Sequence, residues 1–143
     1  MDIRIALPTM VAAYERRTTL DWCRLIDTGP FATLACGERV TFANQEMLVT
    51  LAAAAALTER VGIFANLVVT PWHPTALLAK QLATLDVLSD GRLTVGVGVG
   101  GRREDFDAVG AAYGQRHQQV DDQVAELRRL WRQELTIKAL SER

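Results

Sequence analysis

Ten residues near the middle of the chain, VGIFANLVVT from Val61 to Thr70, carry no charged side chain and no regular alternation of polar and apolar positions. A strand with one face in water alternates, because successive side chains point to opposite faces. A run apolar on both faces fits a strand covered by helices on one side and by core on the other, as in parallel sheets. Pro71 closes the run.

The remainder of the chain supplies matching units. Asp2 to Pro8 (DIRIALP) reads as a first strand. Thr18, with Asp21 three residues on, offers a helix start of the capping-box kind, and Leu20, Leu25 and Ile26 give that helix an apolar side up to Gly29. Phe31 to Cys36 is a second strand, and Asn44 is the expected N-cap of an alanine-rich helix through LVTLAAAAALTER. After Pro71, Pro74 suits the first turn of a third helix, with His73 just before it. Leu78, Leu82 and Leu85 form the buried stripe of that helix, and Gly91 is its expected C′ residue. Arg92 to Val99 is a fourth strand, and a last helix over about 116–132 turns Val120, Val124, Leu127 and Trp131 to one side. Strand and helix alternating four times, with no hairpin signal, require parallel strands joined by crossovers. The expected class is α/β, one domain over 1–143, with a tail at 134–143 outside the pattern.

Charge and composition exclude several functions. Sixteen Lys and Arg stand against seventeen Asp and Glu, a net charge of −1, so no basic surplus exists to neutralise nucleic-acid phosphates. No apolar stretch approaches the roughly 18 residues of a membrane span, and no export leader is visible. Cys23 and Cys36 read as two buried thiols in a reducing cytoplasm. His73 and His117 are the only histidines, and no metal-ligand spacing occurs. The expectation is a soluble, cytoplasmic protein with no nucleic-acid, membrane or metal partner.

Within GRLTVGVGVGGRRED, residues 91–105, Gly96, Gly98 and Gly101 satisfy the dinucleotide spacing G-x-G-x-x-G. That fingerprint needs a strand before its first glycine and a helix after its last. Here the glycines sit inside the fourth strand and at its end, and the charged RREDFDAVG that follows lacks a small-residue helix face. An NAD site is therefore disfavoured. Gly96, Gly98 and Gly100 share one face of the strand, while Val95, Val97 and Val99 share the other. Glycines on one face mark a close approach to the backbone, by a packed helix or a flat cofactor, or close packing alone.

The segment HPTALLAKQLATLDVLSDGRLTVGVGVGG, His73 to Gly101, resembles the luciferase-like flavin-dependent monooxygenases, as do ALPT at the first strand, ERVGIFANLVVTPWHP and the helix QRHQQVDDQVAELRRLW. The resemblance covers about residues 2–132. It implies a (β/α)8 TIM-type barrel, of which this chain holds four βα units, and FMN or a deazaflavin coenzyme as cofactor. It places the cofactor at the carboxyl ends of the strands, the face where barrel sites gather. The implied cofactor-binding residues are Thr9, Arg39, Asn66, Thr70, Pro71, Gly98, Gly100 and Gly101, with Glu38 as the catalytic residue. Many members carry an acid and then His after the second strand. This chain has Glu38 followed by Arg39, so the acid is present and that imidazole is not. Asn66 has a second reading, as a buried amide satisfied by neighbouring backbone. Several members hold a cis peptide bond after the third strand, which implies a cis Thr70–Pro71 bond here. His73 reads as a helix-start residue.

A complete barrel of this type takes about 250 residues. The expectation is thus a half barrel with a flavin-ring surface and without its phosphate anchor, acting as an oxidoreductase on a small molecule of unspecified identity. The competing reading is a non-catalytic half-barrel subunit. Either way the strands at Asp2 to Pro8 and Arg92 to Val99 are expected as open sheet edges, covered in a homodimer or by a second half-barrel chain.

Overall fold

In the computed structural model, which describes residues 2–11 and 13–132, four parallel strands form one sheet in the order β1-β2-β3-β4. They are β1 (Arg4–Ala6), β2 (Thr33–Cys36), β3 (Gly62–Val69) and β4 (Leu93–Gly98). Between and after them run α1 (Arg16–Thr28), α2 (Met47–Leu57), α3 (Thr75–Leu88), α4 (Arg103–Val109) and α5 (Arg116–Arg132). Two 3-10 turns, Thr70–Trp72 and Tyr113–Gln115, complete the order. The expected edges are the observed ones, β1 and β4. The proposed tail at 134–143 lies outside the described residues.

The register explains why one face of the sheet is core and the other is bare. Ile5, Leu34, Ile63 and Leu93 stand in one row across the four strands and join the core cluster beneath the helices. Leu51, Ala54 and Ala55 of α2 and Leu78, Leu82 and Leu85 of α3 close over them, joined by Leu127 of α5. The alanines let α2 lie close to the strands, which is the use of the low-complexity run. The alternate row is Ala6, Ala35, Phe64 and Thr94, on the face turned away from the helices. Ala6 and Thr94 are exposed there, and Arg4 lies over the Phe64 ring at 5.9 Å.

Two arginines fasten the amino-terminal ends of the strands. Arg92 donates to the carbonyls of Ala55, Thr58, Val61 and Ser89 and to the Thr58 hydroxyl, tying the end of α2 to the start of β3 and the end of α3. Arg60 donates to the carbonyls of Ile26, Asp27, Gly29 and Phe31. The Asp27 carboxylate accepts the backbone N–H groups of Glu59, Arg60 and Val61. The two arginines satisfy carbonyls that the ends of α1, α2 and α3 leave without partners, while Asp27 satisfies N–H groups ahead of β3.

Four local expectations are corrected. Helix α1 starts at Arg16 behind Glu15, not at Thr18, because the Thr18 N–H already bonds the Glu15 carbonyl. Helix α2 starts at Met47, where the Glu46 carboxylate accepts the Val49 N–H at 2.6 Å, and Asn44 instead donates to the Gln45 carbonyl. Pro74 is the N-cap of α3 rather than a first-turn residue. At the other end of α3, Asp90 at φ 54° takes the left-handed position after the Ser89 cap, and Gly91 follows one place later. The short helix α4 was not expected at all.

Candidate functional site

The carboxyl ends of all four strands open onto one cleft of about 560 Å³. Met10 after β1, Gly37, Glu38 and Arg39 after β2, Asn66, Leu67 and Trp72 of the third unit, and Gly98 to Gly101 at and beyond the end of β4 line it. Volumes of about 300–1,000 Å³ are usual for small-molecule and cofactor sites. Most of the lining is apolar, with one carboxylate, one amide and one guanidinium set into it.

The shape of the cleft floor follows from the glycines. A Cβ on Gly98 would overlap Cδ1 of Leu67, and one on Gly96 would lie 3.3 Å from the Phe64 ring. Side chains of β3 therefore occupy the space that these two glycines leave. Gly100 has φ +69°, and a Cβ there would lie 2.6 Å from Val69 Cγ1 and 2.9 Å from the Phe106 ring. Gly101, by contrast, has nothing within 4 Å of a would-be Cβ. The glycine face is thus packed by Leu67 and Phe64 at its base and open at Gly101. The cis peptide bond among the described residues is Asn66–Leu67, at the irregularity where β3 shifts register against β4. This corrects the expectation of a cis Thr70–Pro71 bond. Thr70 to Trp72 instead form a 3-10 turn closed by the His73 N–H on the Thr70 carbonyl at 3.0 Å.

Glu38 stands in the wall of the cleft with both carboxylate oxygens engaged. Oε2 accepts the Val69 N–H at 2.7 Å, and Oε1 lies 2.7 Å from His73 Nε2. The Glu38 side chain is 6% exposed and that of His73 is 19% exposed. Behind the wall a smaller pocket of about 230 Å³ is lined by Glu38, Arg39, Asn44, Glu46, Trp72 and His73, among others. Gln123 of α5 holds the His73 backbone by donating to its carbonyl at 3.0 Å.

The rim of the cleft is pinned by a residue from the unexpected helix. Asp105 of α4 is fully buried, and its Oδ1 accepts the N–H of Val40, the N–H of Thr41 and the Thr41 hydroxyl. Its Oδ2 faces Arg102 at 3.4 Å and Arg39 at 3.8 Å. Burial pushes the Asp105 carboxyl up, but the Thr41 and Val40 bonds together with Arg102 hold it below its ordinary value. Both arginines stack on the Phe42 ring, at 5.7 Å for Arg39 and 4.8 Å for Arg102. Phe106, the next residue of α4, seats its ring edge-on between Trp72 and Tyr113. Trp72 is thereby fixed as a rigid wall.

Of the residues that the resemblance implied, Glu38, Arg39, Asn66, Gly98, Gly100 and Gly101 meet at the cleft. Three are placed elsewhere. Thr9 turns inward, with Oγ1 3.8 Å from Cys36 Sγ, and its neighbour Met10 meets the cleft instead. Thr70 faces the helix side of the sheet, in a small hollow shared with Val68, Leu82 and Trp131. Pro71 is buried within the 3-10 turn. Asn66 is exposed, which removes its second reading as a buried amide. Sequence reasoning missed three participants. Leu67 lies inside an apolar run, and Asp105 inside the charged segment that follows the fourth strand. His73 stands 35 residues from its partner Glu38. Phe106 set between Asp105 and Asp107 in RREDFDAVG was the available signal for α4.

A family model described as luciferase-like monooxygenase matches residues 2–139. The FMNH(2)-dependent dimethylsulfone monooxygenase of Pseudomonas fluorescens is 35% identical over 82 residues, which is 55% of this chain and 22% of that protein. The crystal structure of monooxygenase RslO1 from Streptomyces bottropensis superposes with a TM-score of 0.83 at 29% identity, covering 92% of this chain and 43% of that one. The oxygenating constituent of 3,6-diketocamphane monooxygenase from Pseudomonas putida, solved in complex with FMN, gives a TM-score of 0.78 at 19% identity, with 92% and 39% covered. The chain therefore spans less than half the length of each of these three proteins.

Proposed function

The chain belongs to the luciferase-like monooxygenase family, and on that premise we propose that its cleft is the flavin-ring side of a flavin-dependent monooxygenase site. One observation carries the reading. The segments at or following each of the four strands send residues to a single cleft of cofactor size, at the end of the sheet where parallel barrels place their chemistry.

The residues present fit a planar, mostly apolar ring. Leu67, Trp72 and Val99 offer flat contact, and Gly101 leaves open space beside them. Asn66 and Arg39 supply an amide and a cation for polar edges of the ring, and Glu38 supplies a carboxylate. Bound reduced flavin would contribute the hydride or the oxygen chemistry. The chain's part is to orient the ring, exclude water and place the Glu38 carboxylate beside the reacting region. FMN is the first choice of cofactor, and the deazaflavin coenzyme is the second arm of the same experiment. The substrate class is a small organic molecule.

Fluorescence titration with FMN and with the deazaflavin coenzyme tests the reading. Micromolar binding of one of them is expected, and Gly101→Leu, which fills open space without touching the core, should abolish it at an unchanged Tm. Failure to bind at high micromolar ligand, or binding indifferent to Gly101→Leu, would overturn it.

The same reading gives the bare sheet face a partner. Among the described residues the β1 and β4 edges are unpaired and the face bearing Phe64 is uncovered, which favours association. A complementary set of parallel βα units, here from a second copy, would pair with both edges and roof the cleft. Light scattering after size exclusion should show a dimer at low micromolar concentration, and a monodisperse monomer would count against it. No helix among the described residues is long and apolar enough to cross a membrane, and both cysteines are free and buried, which supports placement in a reducing cytoplasm.

A further inference from the structure

The geometry points to a two-residue proton relay, in which His73 reloads Glu38 with protons taken from the smaller pocket behind the cleft wall. This rests on the cleft being the flavin-ring site. Three features support it. Glu38 lines both the cleft and the smaller pocket, whereas His73 lines only the latter. Oε1 and Nε2 are 2.7 Å apart, the separation of a charge-assisted hydrogen bond along which a proton moves without rearrangement. Both partners are held from outside the pair, Glu38 by the Val69 N–H and the His73 backbone by Gln123. The imidazole comes from the residue that closes the 3-10 turn after β3.

The step balances in protons alone. At rest Glu38 is a carboxylate, and neutral His73 donates its Nε2–H to Oε1. A proton from water in the smaller pocket enters at Nδ1, and the Nε2 proton passes to Oε1. Glu38, now a carboxylic acid, delivers its proton to an oxyanion or anionic nitrogen formed in the cleft. His73 is left with its proton on Nδ1 and returns to the Nε2–H form by exchange with water. The charged groups facing the pair are Arg39, beside Glu38, and Glu46 at the start of α2, whose carboxylate is engaged by the Val49 N–H. From α5 the facing side chain is the neutral Gln123.

Two readouts test the relay. In the flavin-free chain, nitrogen-15 NMR of the imidazoles should show His73 as the Nε2–H form with a slowly exchanging proton. That proton should become fast-exchanging in Glu38→Ala, while His117 serves as the internal reference. In the FMN-loaded chain, His73→Ala should slow reoxidation of reduced FMN by dioxygen on the order of 10²-fold, the usual scale of general acid catalysis. Added imidazole should restore the rate, and FMN affinity should change less than about twofold. An unchanged rate in His73→Ala, a loss that imidazole does not restore, or a His73 signal identical in Glu38→Ala would overturn the relay. Failure of the wild-type chain to bind FMN would overturn the ring-site reading instead, and would register in the titration rather than in a rate.

Discussion

Asp105 reaches back 64 residues to hold Thr41, accepting its backbone N–H at 2.8 Å and its hydroxyl at 2.7 Å through the same carboxylate oxygen. A helix beyond the fourth strand thereby sets the path of the loop beyond the second. Asp105→Ala leaves three donors without their acceptor, each costing about 1–3 kcal/mol where water cannot replace it. The expected loss is about 2–4 kcal/mol in urea unfolding, with flavin affinity falling as Arg39 loses its anchor. Asp105→Asn keeps an acceptor toward Thr41 and should lose about half as much.

The same carboxylate makes stability depend on acid. Burial pushes both Asp105 and Asp27 up, but both are held below the ordinary Asp value. Asp105 is held there by the Thr41 hydroxyl, the Thr41 and Val40 N–H groups and Arg102, and Asp27 by the Glu59, Val61 and Arg60 N–H groups and the Arg60 charge. A group whose folded value is depressed contributes stability above its unfolded value and loses it as pH falls through the folded value. The urea midpoint should therefore be level near neutrality and fall once pH drops below about 4. In Asp105→Asn the fall should be shallower.

Gly98 and Gly100 should respond differently to alanine. At Gly98 the obstructing atom is the tip of the half-exposed Leu67, which can swing into the cleft. Gly98→Ala should cost about 1 kcal/mol of stability and weaken flavin binding more than tenfold. At Gly100 the obstacles are Val69 and the buried Phe106 ring, and φ is positive. Gly100→Ala should cost about 2–4 kcal/mol, from left-handed backbone strain plus overpacking. Thermal melts and flavin titrations of the two variants separate the effects.

Neither thiol should react in the folded chain. Burial pushes Cys23 up to about 11, and it raises Cys36 as well against the bond from Thr9. Since the thiolate is the nucleophile, Ellman's reagent at pH 8 should titrate almost no thiol before unfolding and both afterwards. A fast-reacting thiol in the native state would mean that the packing of α1 on β2 is looser than described.

The strands were legible as compact apolar runs, although among the described residues it is mainly their helix-side face that is buried, and Asn66 and Leu67 of β3 are exposed. Val61 to Thr70 contains β3, and Arg92 to Val99 contains β4 with one residue of overhang at each end. Helix starts were harder to read. Ser, Thr, Asn and Asp compete as caps, and at α2 a glutamate two positions past Asn44 holds the first turn. The site was legible where its residues follow strand ends, as at Glu38 and Gly98 to Gly101. It was illegible where distant residues meet, as with Glu38 and His73 or Thr41 and Asp105. No spacing rule encodes those pairs, since each arises from the order in which strands lie side by side.

Arg60 and Arg92 fasten helix ends and strand starts at the pole opposite the cleft, almost entirely through main-chain carbonyls. Main-chain acceptors exist whatever side chains surround them, so this clamp is blind to what happens at the mouth. Loops above the sheet can therefore be exchanged like cassettes, altering what the cleft accepts, while the frame that carries them stays the same.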